Sequence, residues 1–450
     1  MLIPLLALGA CETYSPSPLD LEGHRATWQT RFADELSVQA FLERLDPAFT
    51  ETEAFDPSDG LSLREGRLVA QVFNPSLRLV RLGLSRAEAS AAFAGLWRDP
   101  YFSANLLRIL QNVPTPWVAT PGIGFPLPVS GWTKVERSLA DSSVRTAELR
   151  ILEVEWTVQR DVRRAWIEWS AARARREETE RLVSSLESST AEAGRLADAG
   201  ELSRLEAALF AIEWTTRRNL VRQLAGEAES TRRRLLGLLG LPPEARAELI
   251  PTLEALPVEV DSGPDAIAAR NPTLERLSAE YTESERRVQL EIRRQFPDIT
   301  LGPLFESDGG QSRLGIFLGS VPIPIFNANR QAIAEARRDR EIARATFETT
   351  YEQLVGQWSV VEARAKARSE QLEELESTLV PLVETQLRDT LRLMQLGELD
   401  VLFQLESLRR AHETKLSVID AREAYSLAQV ELMYLTGPAP APESDHEEMK

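Results

Sequence analysis

The sequence has little of what several common classes of protein require. Cys11 is the single cysteine among 450 residues, so no disulfide forms within one chain. No apolar run approaches the roughly 20 residues of a membrane-spanning helix, which excludes a helical inner-membrane transporter. The 52 basic residues alternate with 69 acidic ones, and the formal charge is −17. Because no basic stripe results, we expect no nucleic-acid partner.

Residues that typically carry catalysis or bind metals are also scarce. The three histidines are His24, His412 and His446, and their spacing matches neither a metal site nor a catalytic triad. Residues 122–124 read Gly-Ile-Gly but lead into a proline-containing segment and not into a helix, which excludes a phosphate-binding loop. We therefore expect no enzyme, no bound metal and no cofactor.

The one cysteine follows a short apolar stretch. Residues 1–10 end in small side chains directly before Cys11, an arrangement that looks like a bacterial lipobox at the end of a signal peptide. In such a motif the cysteine sulfur carries a diacylglycerol. Residues 12–65 are then predicted to form a Ser/Pro-rich tether and a short helix within 22–45. A chance cysteine behind an apolar run is the alternative.

The chain resembles itself at a nearly constant offset. Four motifs recur in the same order, three of them 197 residues apart (271 − 74, for example) and one 196 apart (322 − 126). The sequence therefore predicts a duplication, with repeat 1 at 66–240, a linker at 241–262, repeat 2 at 263–437 and a disordered acidic tail at 438–450. The motif pairs are NPSL from Asn74 with NPTL from Asn271, PLP from Pro126 with PIP from Pro322, GEL from Gly200 and from Gly397, and LLGLLG from Leu235 with LMYLTG from Leu432.

Each repeat is predicted to contain the same elements. A helix begins at the Asn-Pro pair, where proline suits the first turn. A β-hairpin follows at about 101–125 in repeat 1 and 298–321 in repeat 2, where residues 306–312 are rich in Gly and Asp and predict the turn. Prolines at 114, 116 and 121 disfavour full-length strands in the first hairpin. A long helix and a returning helix complete each unit.

The long helix of repeat 2, residues 330–396, has coiled-coil periodicity. Its apolar residues recur at steps of three and four, interrupted at Arg368. Such a helix would extend on the order of 100 Å, too long for a compact globule. Pro381 predicts a kink because it removes a backbone donor. The apolar positions are Phe347, Tyr351, Leu354, Trp358, Val361, Ala365, Leu372, Leu375, Leu379 and Leu382.

Short turns separate the long helices from the returning ones. Gly200 and Gly397 suit the left-handed position after a helix end. Ser203 with Glu206 has the spacing of a capping box, and Asp400 is the corresponding cap in repeat 2. Because each turn spans only two or three residues, the returning helices must run antiparallel to the long ones.

These features resemble the TolC-like family of outer-membrane channels over about residues 66–437. Residues 321–327 are similar to the family's strand-to-helix junction, and the Gly-Glu-Leu segments at 200 and 397 are similar to its periplasmic hairpin tips. The resemblance implies a mainly α fold with a small β part. Three copies would form a 12-stranded β-barrel, which a long α-helical barrel continues.

The resemblance also implies a function and partners. The chain would be the exit duct of a tripartite efflux pump, conducting substrates passively from periplasm to exterior. It would work as a homotrimer with a periplasmic membrane-fusion adaptor and an inner-membrane pump. Its place would be the outer membrane, in contact with lipid and anchored through Cys11, with a long periplasmic portion. A soluble or periplasmic coiled-coil scaffold or adaptor is the alternative.

Particular residues take roles from this resemblance. Asp400 and Glu406 correspond to acidic residues that gate the entrance in some members, although Asp400 could equally be a simple N-cap. The predicted adaptor-docking tip consists of Gly200, Glu201, Leu202, Ser203, Gly397, Glu398 and Leu399.

The aromatic residues divide into two groups. The tryptophans of the predicted helices are expected to pack in the interior. Tyr101, Phe102 and Trp117 lie in the first hairpin, where an interfacial aromatic belt and simple hairpin packing both remain open. The helical tryptophans are Trp156, Trp166, Trp169, Trp214 and Trp358.

Overall fold

The structure, a computed structural model, describes residues 14–31, 59–114, 116–254, 263–308, 311–319, 323–396 and 401–438. In these residues the chain is mainly helical, with one small antiparallel sheet. None of the described helices combines the length and apolarity needed to cross a membrane. The helices are α1 (Leu21–Gln29), α2 (Leu63–Phe73), α3 (Pro75–Ala92), α4 (Trp132–Ala199), α5 (Arg204–Leu238), α6 (Pro264–Arg270), α7 (Pro272–Arg293), α8 (Arg330–Glu374), α9 (Val380–Gln395) and α10 (Val401–Thr436). The strands are β1 (Tyr101–Arg108), β2 (Trp117–Leu127), β3 (Ile299–Asp308) and β4 (Gln311–Leu318).

Both Asn-Pro pairs begin a helix, which confirms that prediction. The side chains of Asn74 and Asn271 each accept a hydrogen bond from the backbone N–H two residues later, at 2.9 Å in both repeats. Each side-chain amide also donates to a carbonyl near the end of its returning helix, at 2.8 Å in both repeats. The acceptor is Leu238 for Asn74 and Leu435 for Asn271. One asparagine per repeat therefore ties the beginning of one helix to the end of another.

Replacing Asn271 by aspartate should weaken the fold. The new carboxylate has no N–H to donate to the Leu435 carbonyl, so a buried acceptor loses its partner. We expect a loss of about 1–3 kcal/mol, measured as a lower thermal unfolding temperature. Asn74→Asp should have a similar effect. Asn219→Asp is the control, since Asn219 is exposed and only accepts from Arg222; equal effects at all three sites would contradict the interpretation.

The long helices differ in continuity. The 68 residues of α4 run without interruption and extend about 100 Å at 1.5 Å per residue. The helix from Arg330 is instead interrupted by a π-helical turn, Leu375–Leu379, which separates α8 from α9 directly before Pro381. Proline has no N–H for the carbonyl four residues earlier, at Ser377, and its ring crowds that carbonyl. The π turn is where the helix accommodates this defect.

The sheet has the order β1-β2-β3-β4, and every neighbouring pair is antiparallel. The first hairpin forms strands of 8 and 11 residues even though Pro121 lies within β2, paired with Ala104. In the second hairpin the predicted turn over 306–312 is too long at both ends. Pairing of the strands continues to Asp308 with Gln311.

Apolar clusters hold each repeat together. One cluster joins α2, α3, α4 and α5 around Trp166 and Leu235, with the segment 241–249 packed on it. Another joins α6, α7, α8 and the end of α10. It contains several of the predicted heptad positions, whereas Leu379 and Leu382 remain exposed in a single chain. The heptad residues in this cluster are Phe347, Tyr351, Leu354, Trp358 and Val361.

The N-terminal region is described in part. Of the predicted short helix, the structure contains α1, whose first turn is capped by Asp20 accepting from the Gly23 N–H at 2.8 Å. Residues 32–58 lie outside the described residues. The same holds for residues 1–13, with Cys11, and for the tail from residue 439.

Candidate functional site

The sheet has two chemically different faces. Residues paired across neighbouring antiparallel strands share a face, and successive residues of a strand alternate between faces. Leu314 pairs with Phe305 and Ile316 pairs with Pro303, which places all four on one side. We call this side the apolar face. Its large exposed apolar side chains are Phe102, Leu106, Trp117, Ile123, Phe125, Leu301, Phe305, Leu314, Ile316 and Leu318.

The apolar face is uncovered in a single chain. Leu314 is 82% exposed and Ile316 is 84% exposed. Water contact with so many large apolar side chains is costly, at roughly 25 cal/mol per Å² of apolar surface. Contiguous apolar patches of this kind mark a contact with another protein or with lipid. The apolar face therefore requires an apolar environment.

The opposite side, the polar face, carries mainly small and hydrophilic residues. Glu306 and Arg313 pair across the second hairpin, with 3.8 Å between their charged groups. At Gly302 a Cβ atom would lie 1.7 Å from the carbonyl oxygen of Ile123, so that site accepts no side chain. The apolar and aromatic exceptions are Tyr101, Leu107, Val118, Pro126, Leu304 and Phe317. The small and hydrophilic residues are Ser103, Asn105, Thr120, Gly122, Gly124, Thr300, Gly302, Glu306, Arg313 and Gly315.

The three candidate belt residues do not share one face. Phe102 and Trp117 lie near opposite ends of the apolar face, and the guanidinium of Arg108 stacks 5.7 Å from the Trp117 ring. Tyr101 lies on the polar face, where it lines a cavity of about 770 Å³ at the junction with the helices. In that junction Trp132 Nε1 donates to Asp298 Oδ1 at 2.8 Å. Only Phe102 and Trp117 are therefore positioned for a belt on the apolar face.

The turn between α4 and α5 has the predicted capping geometry. Gly200 adopts a left-handed conformation with φ of +77°, and the Glu201 N–H donates to the Leu196 carbonyl at 2.9 Å. Ser203 and Glu206 form the reciprocal capping box, at 3.1 and 3.0 Å. Hydrogen bonds that the Ser203 side chain and backbone N–H donate to the Glu206 carboxylate lower the pKa of Glu206.

This turn therefore presents a capped, solvent-exposed end. Among the predicted tip residues, Leu202 packs on the small apolar cluster of α4 and α5, and Glu201 is exposed to solvent. Residues 397–400, which contain the second tip and Asp400, lie outside the described residues.

Glu406, the second candidate gate residue, lies in the first turns of α10. It forms exposed ion pairs within its own helix, with Arg410 at 3.2 Å and Arg409 at 3.8 Å. Such pairs contribute little to stability. The carboxylate is accessible to solvent.

Ion pairs and hydrogen bonds join α10 to α4. Arg175 Nε lies 2.7 Å from Asp420 Oδ1, and the same guanidinium contacts Glu423. Closer to the tip, Lys415 Nζ lies 3.3 Å from Glu178 Oε1. We call this contact, between a helix of repeat 1 and a helix of repeat 2, the α4–α10 seam. Its ion pairs distinguish it from the apolar clusters within each repeat, and near the tip Leu405 and Leu408 of α10 also pack on the apolar cluster of α4 and α5.

His412 lies in the seam without a hydrogen-bond partner. It is 2% exposed, and neither ring nitrogen has a partner in the described chain. Burial lowers its pKa, and the positive charge of Arg217 on α5 adds to this effect. The carboxylates of Glu178 on α4 and Glu413 act in the opposite direction, and Lys415 acts with Arg217. The imidazole is therefore neutral at pH 7.

Acidification should weaken the seam through His412. Since the folded-state pKa is lower than the unfolded value of about 6.5, the unfolded chain binds the proton more tightly. The stabilisation that comes from keeping His412 neutral is fully present above a pH of about 6.5 and is lost as the pH falls through the folded-state pKa. We expect the unfolding temperature to fall between pH 7 and pH 5, and His412→Leu to reduce that fall. An unchanged pH profile in the variant would rule out this residue as the cause.

The apolar face and the buried His412 were not identified from the sequence. The alternation of apolar residues in β3 and β4 was visible, and a face-by-face reading would have found the apolar face. Nothing local distinguishes His412, because its burial depends on helices more than 190 residues earlier in the chain.

Comparisons with known proteins agree on the fold. No protein-family model matches the chain, and no curated protein matches it in sequence. The solved outer-membrane channel OprN is 17% identical with a TM-score of 0.69, covering 95% of this chain and 98% of that one. A membrane protein from Pseudomonas aeruginosa is 18% identical with a TM-score of 0.71, covering 83% and 93%. The CmeC outer membrane channel of Campylobacter jejuni is 14% identical with a TM-score of 0.69, covering 86% and 89%.

The alignments cover nearly the whole length of each of these solved structures. The identities are low, so the likeness concerns the fold. The chain has the fold of the TolC-like outer-membrane channels, which confirms the predicted resemblance and the mainly helical fold class with a small antiparallel sheet.

Proposed function

We propose that the chain is one protomer of a trimeric outer-membrane channel, the exit duct of a tripartite efflux system. The observation that carries the proposal is the exposed apolar face of the sheet. Lipid hydrocarbon supplies the apolar environment that this face requires, and the polar face then lines an aqueous interior. The shared fold with solved outer-membrane channels supports the same conclusion.

The edges of the sheet support an assembly of several copies, and the number we propose is three. β1 and β4 each leave one edge of backbone groups unpaired in a single chain. Such edges are not tolerated in lipid, where every backbone polar group needs a partner. Three four-stranded sheets joined edge to edge give a closed barrel of 12 antiparallel strands. The long helices then continue the barrel axis as a helical tunnel on the periplasmic side.

Conduction in this arrangement is passive. The exposed turn at 200–203, together with Gly397, Glu398 and Leu399, would dock on a periplasmic membrane-fusion adaptor, and an inner-membrane pump would supply the energy. Asp400 and Glu406 would place carboxylates at the tunnel entrance. A coiled-coil scaffold is the second candidate, but it provides no role for a sheet with an exposed apolar face.

Imaging of the purified protein tests the proposal. The full chain would be expressed in a diderm bacterium, extracted from outer membranes with detergent and imaged as single particles. We expect a threefold hollow rod with a helical body on a narrower membrane end. A monomer or a solid rod in the soluble fraction would favour the scaffold.

Lipidation at Cys11 is a separate prediction. If the apolar stretch before it is a lipoprotein signal, cells fed a radioactive or clickable palmitate should label the wild-type protein, and Cys11→Ser should abolish the labelling. Because the sheet itself lies in the membrane, the variant should still sediment with outer membranes. Equal labelling of both proteins would show that Cys11 is not the lipidated residue.

A further inference from the structure

Two arginines lie in the interior of the protein, and no carboxylate of the described residues is bound to either. Arg163 on α4 is 9% exposed, and its Nε has no hydrogen-bond partner. Arg67 on α2 is half-buried, and its Nε also lacks a partner. Arg67 donates to the amide oxygen of Gln159 at 2.6 Å, and Arg163 Nη1 contacts the sulfur of Met433 on α10. Among the described residues, these two cations therefore reach a neutral amide and a thioether, which is a weak acceptor.

Two other largely buried arginines, Arg217 and Arg276, are paired with acids. Arg276 Nε lies 2.6 Å from Glu153. Burial lowers the pKa of Arg276, but its hydrogen bonds and the acidic charges outweigh burial and leave the pKa raised. At Arg163 burial and the charge of Arg67 both lower the pKa, to about 9. Burial and the charge of Arg64 lower the pKa of Arg67 to about 10.

The acids nearest to Arg163 along α4 are engaged elsewhere. Asp161 pairs with Arg160 at 2.9 Å, and Glu168 pairs with Arg164 at 3.0 Å. At neutral pH both Arg163 and Arg67 remain protonated, so two adjacent positive charges lie largely out of water. Buried charges are costly unless they are paired. A bound anion is the simplest partner that would balance the charges of these two arginines.

We propose that Arg67 and Arg163 bind a small inorganic oxyanion of the phosphate and sulfate class between α2, α4 and α10. The planar guanidinium offers a fork of N–H donors that matches such an anion, and both Nε groups are free to donate. Met433 is the side chain that moves aside, since its unbranched thioether adapts to several conformations. The site lies within one copy of the chain and does not depend on the channel proposal.

The bound anion would connect the two repeats. Arg67 and Arg163 belong to repeat 1, and Met433 belongs to the returning helix of repeat 2. An anion at this position cancels the repulsion between the arginines where α10 ends against α4. Anion binding should therefore stabilise the folded chain, because the unfolded chain has no such site.

The test is the unfolding temperature of the full-length, detergent-extracted protein at pH 7 and constant ionic strength, with inorganic phosphate as the probe. We expect a rise that saturates with phosphate in the wild type. Arg163→Met should lose the phosphate response and should unfold at a higher temperature than the wild type in phosphate-free buffer, because it removes an unpaired buried charge.

Arg276→Met is the matched control. It removes a buried arginine that has acidic partners, so it should lower the unfolding temperature in both buffers and keep the phosphate response. Equal phosphate responses in the wild type and Arg163→Met would indicate a general salt effect and overturn the proposal. So would the absence of any response in the wild type.

A second variant covers the case in which Arg163→Met does not fold. Met433→Ala leaves both arginines and opens space beside Arg163 Nη1. We expect its phosphate response to reach half-saturation at a lower concentration than in the wild type. An unchanged or higher half-saturation concentration would contradict a site at this place.

Discussion

Leu314→Arg should prevent assembly of the trimer in the outer membrane. Leu314 lies on the apolar face and is almost fully exposed in a single chain. If this face contacts lipid, each arginine costs up to about 2–4 kcal/mol near the bilayer midplane, and the cost occurs once per copy. We expect most of the variant to be absent from outer-membrane fractions, measured by sucrose-gradient separation and by the heat-modifiable trimer band on gels.

The neighbouring residue provides the control. Gly315 lies on the polar face, and a Cβ atom there would have no neighbour within 4 Å. Gly315→Arg introduces the same charge into the same strand and should leave the trimer in the membrane. If both variants assemble equally well, the apolar face does not contact lipid, and the scaffold becomes the better account. If both fail, arginine disrupts β4 itself and the faces are not distinguished.

Local signals made much of the fold predictable. The Asn-Pro helix starts, the left-handed Gly200 and the Ser203–Glu206 capping box each depend on residues a few positions apart. Their chemistry is complete within one turn of backbone, so the sequence alone identifies them. The interruption before Pro381 is similar, because the defect is intrinsic to proline.

Features that depend on distant parts of the chain were not predictable in this way. The order of the strands and the register between β2 and β3 join residues about 180 positions apart. The pair Arg67 and Arg163 and the burial of His412 likewise arise from packing of helices that are remote in sequence. No local pattern distinguishes these residues from the many exposed arginines on the same helices.

The candidate site likewise contains features that local residues predict and features that depend on distant parts of the chain. The tip turn at 200–203 was predictable, because capping residues define it. The apolar face was predictable in principle from the alternation in β3 and β4, but only the register shows that the four strands share it. Roles for Cys11, Asp400 and Glu406 remain predictions from the resemblance.

Trp166→Ala should cause the largest loss of stability among single substitutions in the helical part. Trp166 is 0% exposed and packs edge to face on Trp169, with 6.0 Å between ring centroids. Its Nε1 donates to the Ile250 carbonyl at 2.9 Å, which ties the segment after repeat 1 to α4. Truncation leaves a cavity and an unpaired carbonyl, and we expect a cost of about 3–5 kcal/mol. The measurement is thermal unfolding at a fixed scan rate.

Trp166→Phe separates the two contributions. Phenylalanine keeps most of the packing but donates no hydrogen bond, so its cost should be nearer the 1–3 kcal/mol of an unpaired buried acceptor. Gly66 contacts this same ring, since a Cβ at Gly66 would lie 2.4 Å from Trp166 Cζ3. Gly66→Ala should therefore destabilise through the same cluster, and combining it with Trp166→Ala should cost less than the sum of the two, because the cavity admits the added methyl group. Additive losses would show that Gly66 and Trp166 do not act on one another.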